Sequence, residues 1–288
     1  MRIGFVGLGL MGSGMAGHLM ERGHELWLMA HRNRSFIDPL LGKGAHEAKD
    51  LGTLAKESEV IILCLTTAKV VEETILGLMP HLRRGQIIID TGTTDPQTTR
   101  RLARELKVQG VAYADAPMAG GPEQVAKKEV GALIGADEQT FAAIAPLVSC
   151  YASRLKHFGP PGSGHVAKLI SNYLVIGMIG LVTEAFTTAR KAQVDWKDLY
   201  EVMLNGSGNS GVLRKMMEAA LAGDFDGYKF SLTNAAKDIG YYSALAQELE
   251  QLTPLTEAVE QIFAKAVATG HGGRNVSHLL DPAIDDVT

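Results

Sequence analysis

Ile3-Gly-Phe-Val-Gly7-Leu-Gly-Leu-Met-Gly12-Ser-Gly-Met15 is the stretch on which the reading of the fold turns. Ile3, Phe5 and Val6 predict a short buried strand, and Met15, Leu19 and Met20 recur at helical spacing behind it. Between strand and helix stands a Gly-x-Gly-x-x-Gly turn. In that setting the glycines have separate tasks: a tight turn, close backbone approach to a pyrophosphate, and tight packing of helix on strand. The helix start adds free N–H groups and the positive end of its dipole. Gly7, Leu8, Gly9, Leu10, Met11 and Gly12 therefore predict a dinucleotide cradle.

The next strand, Glu25–Met29, runs into Ala30-His-Arg-Asn-Arg-Ser35 with no carboxylate before Asp38. An acid near this point would read the ribose hydroxyls of NAD(H). Arg32 and Arg34, with Asn33 between them, offer planar cationic donors suited to a 2′-phosphate. The turn favours NADP(H), with NAD(H) as the alternative.

Outward from this start, strand-like and helical runs alternate: Val60–Leu65, Val70–Leu78, Gln86–Asp90, Pro96–Val108, Val111–Asp115, Ala132–Ile134 and Gln139–Leu147. That rhythm predicts an α/β fold, an N-terminal Rossmann domain with a doubly wound parallel sheet. Ile61 to Leu65 form one apolar run, as for a strand covered on both faces, so Cys64 is expected in the core rather than as a nucleophile. After the Gly/Pro/Ser cluster at 159–164 the strand signal stops. Helical stretches follow at about 165–193, 196–204, 212–221, 231–249 and 254–269, predicting an all-helical C-terminal domain. The expected division is 1–161 and 162–288, with a polar, partly loose tail from Gly270.

Composition removes whole classes. Among 288 residues, 28 Lys and Arg oppose 32 Asp and Glu, so a chain of net charge −4 lacks the clustered cations that bind nucleic acid. Small molecules are the expected partners. Cys64 and Cys150 are too few for a disulfide framework and lack metal-ligand spacing, which suits a reducing, cytoplasmic setting. The apolar run Tyr173–Val182 is about half the ~20 residues a membrane span needs and reads as a buried helix. The segment Ile3–Gly17 superficially copies a signal peptide, yet its glycines spoil a helical apolar region.

Gly162-Ser-Gly-His-Val-Ala-Lys168-Leu-Ile-Ser-Asn172 places Lys168 and Asn172 on one face of the long helix. Lysine beside an amide suits proton donation to a carbonyl oxygen. The spacing suits equally a lysine that snorkels to water beside a structural asparagine.

Four stretches together resemble the β-hydroxyacid dehydrogenases, the family of 3-hydroxyisobutyrate dehydrogenase and tartronate semialdehyde reductase. They are Gly7–Met15, Asp115-Ala-Pro-Met-Ala-Gly-Gly121, Gly159–Asn172 and Phe230-Ser-Leu-Thr-Asn-Ala-Ala-Lys237-Asp238. The resemblance implies a dinucleotide domain, a long interdomain helix and a helical domain that forms a homodimer or higher homo-oligomer. It implies Lys168 as the catalytic lysine, Asn172 as its polar neighbour, and Gly120 and Gly121 as backbone donors to a substrate carboxylate. Lys237 would line the closed cleft, against both substrate and cofactor. Leu65, Thr66 and Thr93 match positions that meet the cofactor. Ala119, within the carboxylate loop, stands where the family commonly carries serine.

The activity implied is hydride transfer between NADP(H) or NAD(H) and a small β-hydroxy acid or its semialdehyde. An imine reductase of the same architecture and a non-catalytic dinucleotide sensor are the rivals. Among the remaining residues, Asp115 is expected to order the turn that presents Gly120 and Gly121, and His165 to be a first-turn helix residue. His18, His24 and His46 read as surface positions, Met203, Met216 and Met217 as packing, and Asp195 as a helix N-cap.

Overall fold

The computed structural model describes residues 1–29 and 34–284. Arg32 and Asn33, expected at the cofactor, lie outside them. Two compact units emerge, Met1–Lys168 and Leu169–Thr288.

In the first unit the order is β1 (Arg2–Val6), α1 (Leu10–Glu21), β2 (Glu25–Met29), α2 (Asp38–Leu41), β3 (His46–Glu47), α3 (Leu51–Glu57) and β4 (Val60–Leu63). It continues with α4 (Ala68–Leu78), β5 (Ile87–Asp90), α5 (Pro96–Val108), β6 (Ala112–Asp115), β7 (Met118–Ala119), α6 (Pro122–Ala126), β8 (Val130–Gly135), α7 (Glu138–Val148) and β9 (Ala152–Gly159). Caps explain several helix starts. Thr67, Asp95 and Asp137 each accept the N–H of the residue three further on, satisfying a donor that the helix leaves open.

The strands form one sheet in the order β3-β2-β1-β4-β5-β6-β8-β7, with β9 on β8. From β3 to β6 every pairing is parallel, and the direction of winding reverses between β1 and β4. β4 is buried throughout: Val60 and Ile62 join the core on one face, Ile61 and Leu63 that on the other. The sheet is parallel-dominated as expected, and beyond β6 it adds β8, which runs antiparallel to β6 and β7. β9 also escaped the sequence pattern. It is an edge strand carrying Arg154, Lys156 and His157, and charged edges guard against pairing with other chains while blurring the hydrophobic signal.

The second unit begins within α8 (Ser163–Lys191) and adds α9 (Trp196–Leu204), α10 (Gly211–Ala220), α11 (Leu232–Glu248) and α12 (Pro254–Ala268). Its core gathers Ile176, Ile179, Phe186, Met216, Met217, Ile239 and Phe263, and Met203 packs against it. Asp195 caps α9 through the Asp198 amide. α8 is 29 residues long with a mean hydropathy of 1.7 over its most apolar window, enough by length and composition to cross a bilayer, although a core helix meets the same criterion. The run Tyr173–Val182 is buried on one face only, since Leu174 and Leu181 are 63% and 69% exposed. The tail is tighter than expected. Val276, Leu279, Leu280 and Ile284 are buried, and Arg190 donates to the Leu280 carbonyl at 2.9 Å.

Candidate active site

The predicted dinucleotide turn follows β1 at the carboxyl edge of the parallel strands, beside the point where the winding reverses. Such sheets bind ligands in that crevice. Gly7 has φ of +99°, and a Cβ there would lie 2.2 Å from the Cys64 carbonyl oxygen. A Cβ at Gly12 would lie 2.1 Å from the Gly7 oxygen. Around Gly9 nothing stands within 4 Å of an added Cβ, so the middle glycine faces open space. Gly9 is also the N-cap of α1 and supplies no side-chain acceptor, which leaves the helix's first N–H groups to an outside anion. The cradle therefore fits a dinucleotide pyrophosphate.

Leu65 and Thr66 follow β4, and Thr93 follows β5, along the same edge. The loop carrying Thr93 is ordered by Asp90. This buried carboxylate accepts from the Gly92 amide at 2.9 Å, the Thr94 hydroxyl at 2.8 Å and the Tyr113 hydroxyl at 3.3 Å. The Cys64 thiol packs against the core, and burial pushes it up to about 11, consistent with a structural role. Arg34 is engaged elsewhere. Its guanidinium grips Glu47 through two nitrogens at 2.9 and 3.0 Å and reaches Asp38 at 3.0 Å.

Asp115 takes a different part from the one expected. Its carboxylate is fully buried and accepts the Gly162 amide at 2.6 Å and the His165 amide at 2.7 Å, so it anchors the start of α8 rather than the 119–121 turn. Burial pushes its carboxyl up, while the His165 ring and these amides pull it back. His165 is a first-turn residue as expected, and it is also a fully buried hub. Its Nδ1 lies 2.8 Å from the Thr99 hydroxyl, and its Nε2 lies 3.2 Å from the Gly92 carbonyl oxygen. His18 corrects its surface assignment. It is buried, with Nε2 at 2.9 Å from the Val125 carbonyl oxygen.

Lys168 follows one turn later on α8 and is half-buried. Ala119, Gly120 and Gly121 close β7 and lead into α6, and the Gly121 amide donates to Gln124 Oε1 at 2.9 Å. Within the helical unit, Asn172 and Lys237 meet through a residue that sequence reasoning did not single out. Asp238 accepts the Asn172 amide at 2.6 Å with one oxygen, and its other oxygen lies 2.9 Å from Lys237 Nζ. The signal was its place next to Lys237 in the fourth stretch. For Gln124 the signal was a Gln three residues past a helix N-cap.

Residues 2–159 match the NAD binding domain of 6-phosphogluconate dehydrogenase, and residues 162–283 the NAD-binding domain of NADP-dependent 3-hydroxyisobutyrate dehydrogenase. The chain is 27% identical to 2-(hydroxymethyl)glutarate dehydrogenase of Eubacterium barkeri, over 97% of its own length and 93% of that protein. It is 28% identical to 2-hydroxy-3-oxopropionate reductase of Escherichia coli, over 96% and 94% of the two chains. In fold it resembles a Mycobacterium tuberculosis 3-hydroxyisobutyrate dehydrogenase solved with L-serine, at a TM-score of 0.88, 24% identity and coverage of 98% and 99%. With the glycine turn, the parallel sheet and both halves matched in order, this chain belongs to the β-hydroxyacid dehydrogenase family, as an NAD(P)-dependent dehydrogenase or reductase of small hydroxy acids.

Proposed function

We propose that the chain interconverts a small β-hydroxy acid and its semialdehyde or keto partner, using NADP(H) in preference to NAD(H), with Lys168 as proton donor and acceptor. The observation that carries this reading is the double anchorage of the α8 start on buried Asp115, one turn before Lys168. Such anchorage limits how far the lysine's helix can wander, and placement is the larger part of what a protein contributes to hydride chemistry.

When bound, the nicotinamide supplies or accepts the hydride. Gly7–Gly12 would hold the pyrophosphate, Leu65, Thr66 and Thr93 the adjoining cofactor portions, and Arg32 with Asn33 the 2′-phosphate. In reduction the Lys168 ammonium gives a proton to the carbonyl oxygen; in oxidation the neutral amine takes the hydroxyl proton. Asn172, oriented by Asp238, and Lys237 complete the polar set, and the Ala119–Gly121 loop receives the substrate carboxylate. 2-(Hydroxymethyl)glutarate and 2-hydroxy-3-oxopropionate, the compounds in the relatives' names, are both small carboxylates, which supports that class. A homo-oligomer is part of the same proposal, supported by the apolar Ile170, Leu174 and Leu181 exposed on α8.

The test is turnover of NADPH and NADH against a panel of carboxylate semialdehydes, β-hydroxy acids and cyclic imines. Turnover confined to imines, or none with any carbonyl, would overturn the reading. Sedimentation velocity tests the oligomer.

A further inference from the structure

The loop assigned to the substrate carboxylate has lost two of its donors. Ala119 carries no hydroxyl, and the Gly121 N–H is already held by Gln124 Oε1 at 2.9 Å. A backbone N–H can be matched only by the oxygen of a carboxamide, so this bond also settles which way the Gln124 amide faces. Its Nε2, with two hydrogens, turns away from the Gly121 amide. Among the described residues that nitrogen makes no hydrogen bond, and it is not among the buried polar atoms lacking a partner.

The Gln124 side chain cannot drift far from the loop. A Cβ added at Gly120 would lie 3.3 Å from Gln124 Cβ and 2.8 Å from Val130 Cγ1, so the glutamine stem lies directly against Gly120. On its other side Val125 is buried, and His18 bonds its carbonyl oxygen at 2.9 Å. The one acid adjoining Gln124 in sequence, Glu123, is exposed.

We infer that Gln124 is a specificity-determining residue, whose amide NH₂ donates to the anionic group of the substrate in place of the hydroxyl that Ala119 lacks and the occupied Gly121 N–H. This rests on the proposed function, in that the 119–121 loop receives a carboxylate. Gln124 is thus a side-chain donor locked by a backbone bond, and a group held in one orientation loses less entropy on binding than a free one.

The experiment compares KM for a carboxylate semialdehyde and for an uncharged aldehyde of similar size, together with NADPH affinity, in the wild type and three variants. Gln124→Glu keeps an oxygen for the Gly121 amide but turns the donor into a repelling charge. It should raise KM for the carboxylate by about tenfold or more, leaving that for the uncharged aldehyde within about twofold. Gln124→Ala removes the donor and releases the Gly121 amide, and should also raise carboxylate KM by about tenfold. If Gln124→Ala instead leaves carboxylate KM unchanged or lowers it, the glutamine is only a cap competing with the substrate, and the inference falls. Ala119→Asp separates this failure from failure of the broader reading. A rise in carboxylate KM for Ala119→Asp with none for the Gln124 variants sinks the Gln124 assignment alone. If none of the three moves carboxylate KM, the loop is not the carboxylate site. Thermal melting of each variant shows that the altered KM belongs to a folded protein.

Discussion

His165 Nε2 lies 3.2 Å from the carbonyl oxygen of Gly92. That contact ties the first turn of α8 to the loop after β5, so the segment leading to Lys168 and the segment carrying Thr93 share one buried junction. The ring's other nitrogen, Nδ1, meets Thr99 on α5 and lies 3.7 Å from an Asp115 oxygen, while an Asp90 oxygen lies 3.8 Å from Nε2. Buried polar groups of this kind are costly unless partnered, and here each oxygen and nitrogen finds a use in positioning the two segments.

Lys168→Ala should lower kcat by about 10²–10⁴, the range for loss of a positioned proton donor, with little change in NADPH affinity. Steady-state kinetics and a cofactor titration read the two effects separately. Turnover within a few fold of the wild type would remove Lys168 from the chemistry.

The two arginines of the second turn should differ. Arg34 is gripped by Glu47 and Asp38, so a 2′-phosphate would have to compete with two carboxylates for it. Arg32→Ala is expected to weaken NADPH relative to NADH by about tenfold or more in kcat/KM, the loss of a charge-assisted hydrogen bond, and Arg34→Ala to change that ratio less. A larger effect at Arg34 would make it the phosphate reader.

Two glycines of the turn separate folding from binding. Gly12→Ala sets a methyl 2.1 Å from a backbone oxygen that cannot yield, so the turn must distort and both stability and dinucleotide affinity should fall. Gly9→Ala meets nothing in the protein, so its melting temperature should hold while NADPH affinity drops, because the methyl enters the space offered to the pyrophosphate. Melting curves and fluorescence titration of NADPH check both.

Asp115→Ala leaves the buried Gly162 and His165 amides without their acceptor, at about 1–3 kcal/mol for each unpaired group, so a loss of about 2–6 kcal/mol in denaturant unfolding is expected. The pH dependence has a sign as well. Burial holds this carboxyl above its unfolded value, so ionisation is harder in the native state. Its contribution is fully present below the ordinary carboxylate range and is lost as pH rises through the raised native value. Asp115→Asn should abolish that component, so the wild type loses stability relative to this variant across that window. A difference constant with pH would contradict the burial effect.

The nucleotide-binding half was legible because its signals are local. A tight turn between strand and helix demands glycine at Gly7 and Gly12 whatever lies around it, and strands covered on both faces read as apolar runs such as Ile61–Leu65. The helices of the second unit were legible for the same reason, from their apolar period and their caps. Charged edge strand β9, antiparallel β8 and the packed tail were not, since their pairing and burial depend on partners distant in the chain. The site divided along the same line. Lys168, Asn172, Lys237 and the 119–121 loop stood out by motif, whereas the work of Asp115, His165, Asp238 and Gln124 is defined by hydrogen bonds. Three of these four reach across the fold, from Asp115 to Gly162 and His165, from His165 to Thr99 and Gly92, and from Asp238 to Asn172. A carboxylate's role depends on which amide comes to it, and only the folded chain brings residues 47, 50 or 66 positions apart within hydrogen-bonding distance.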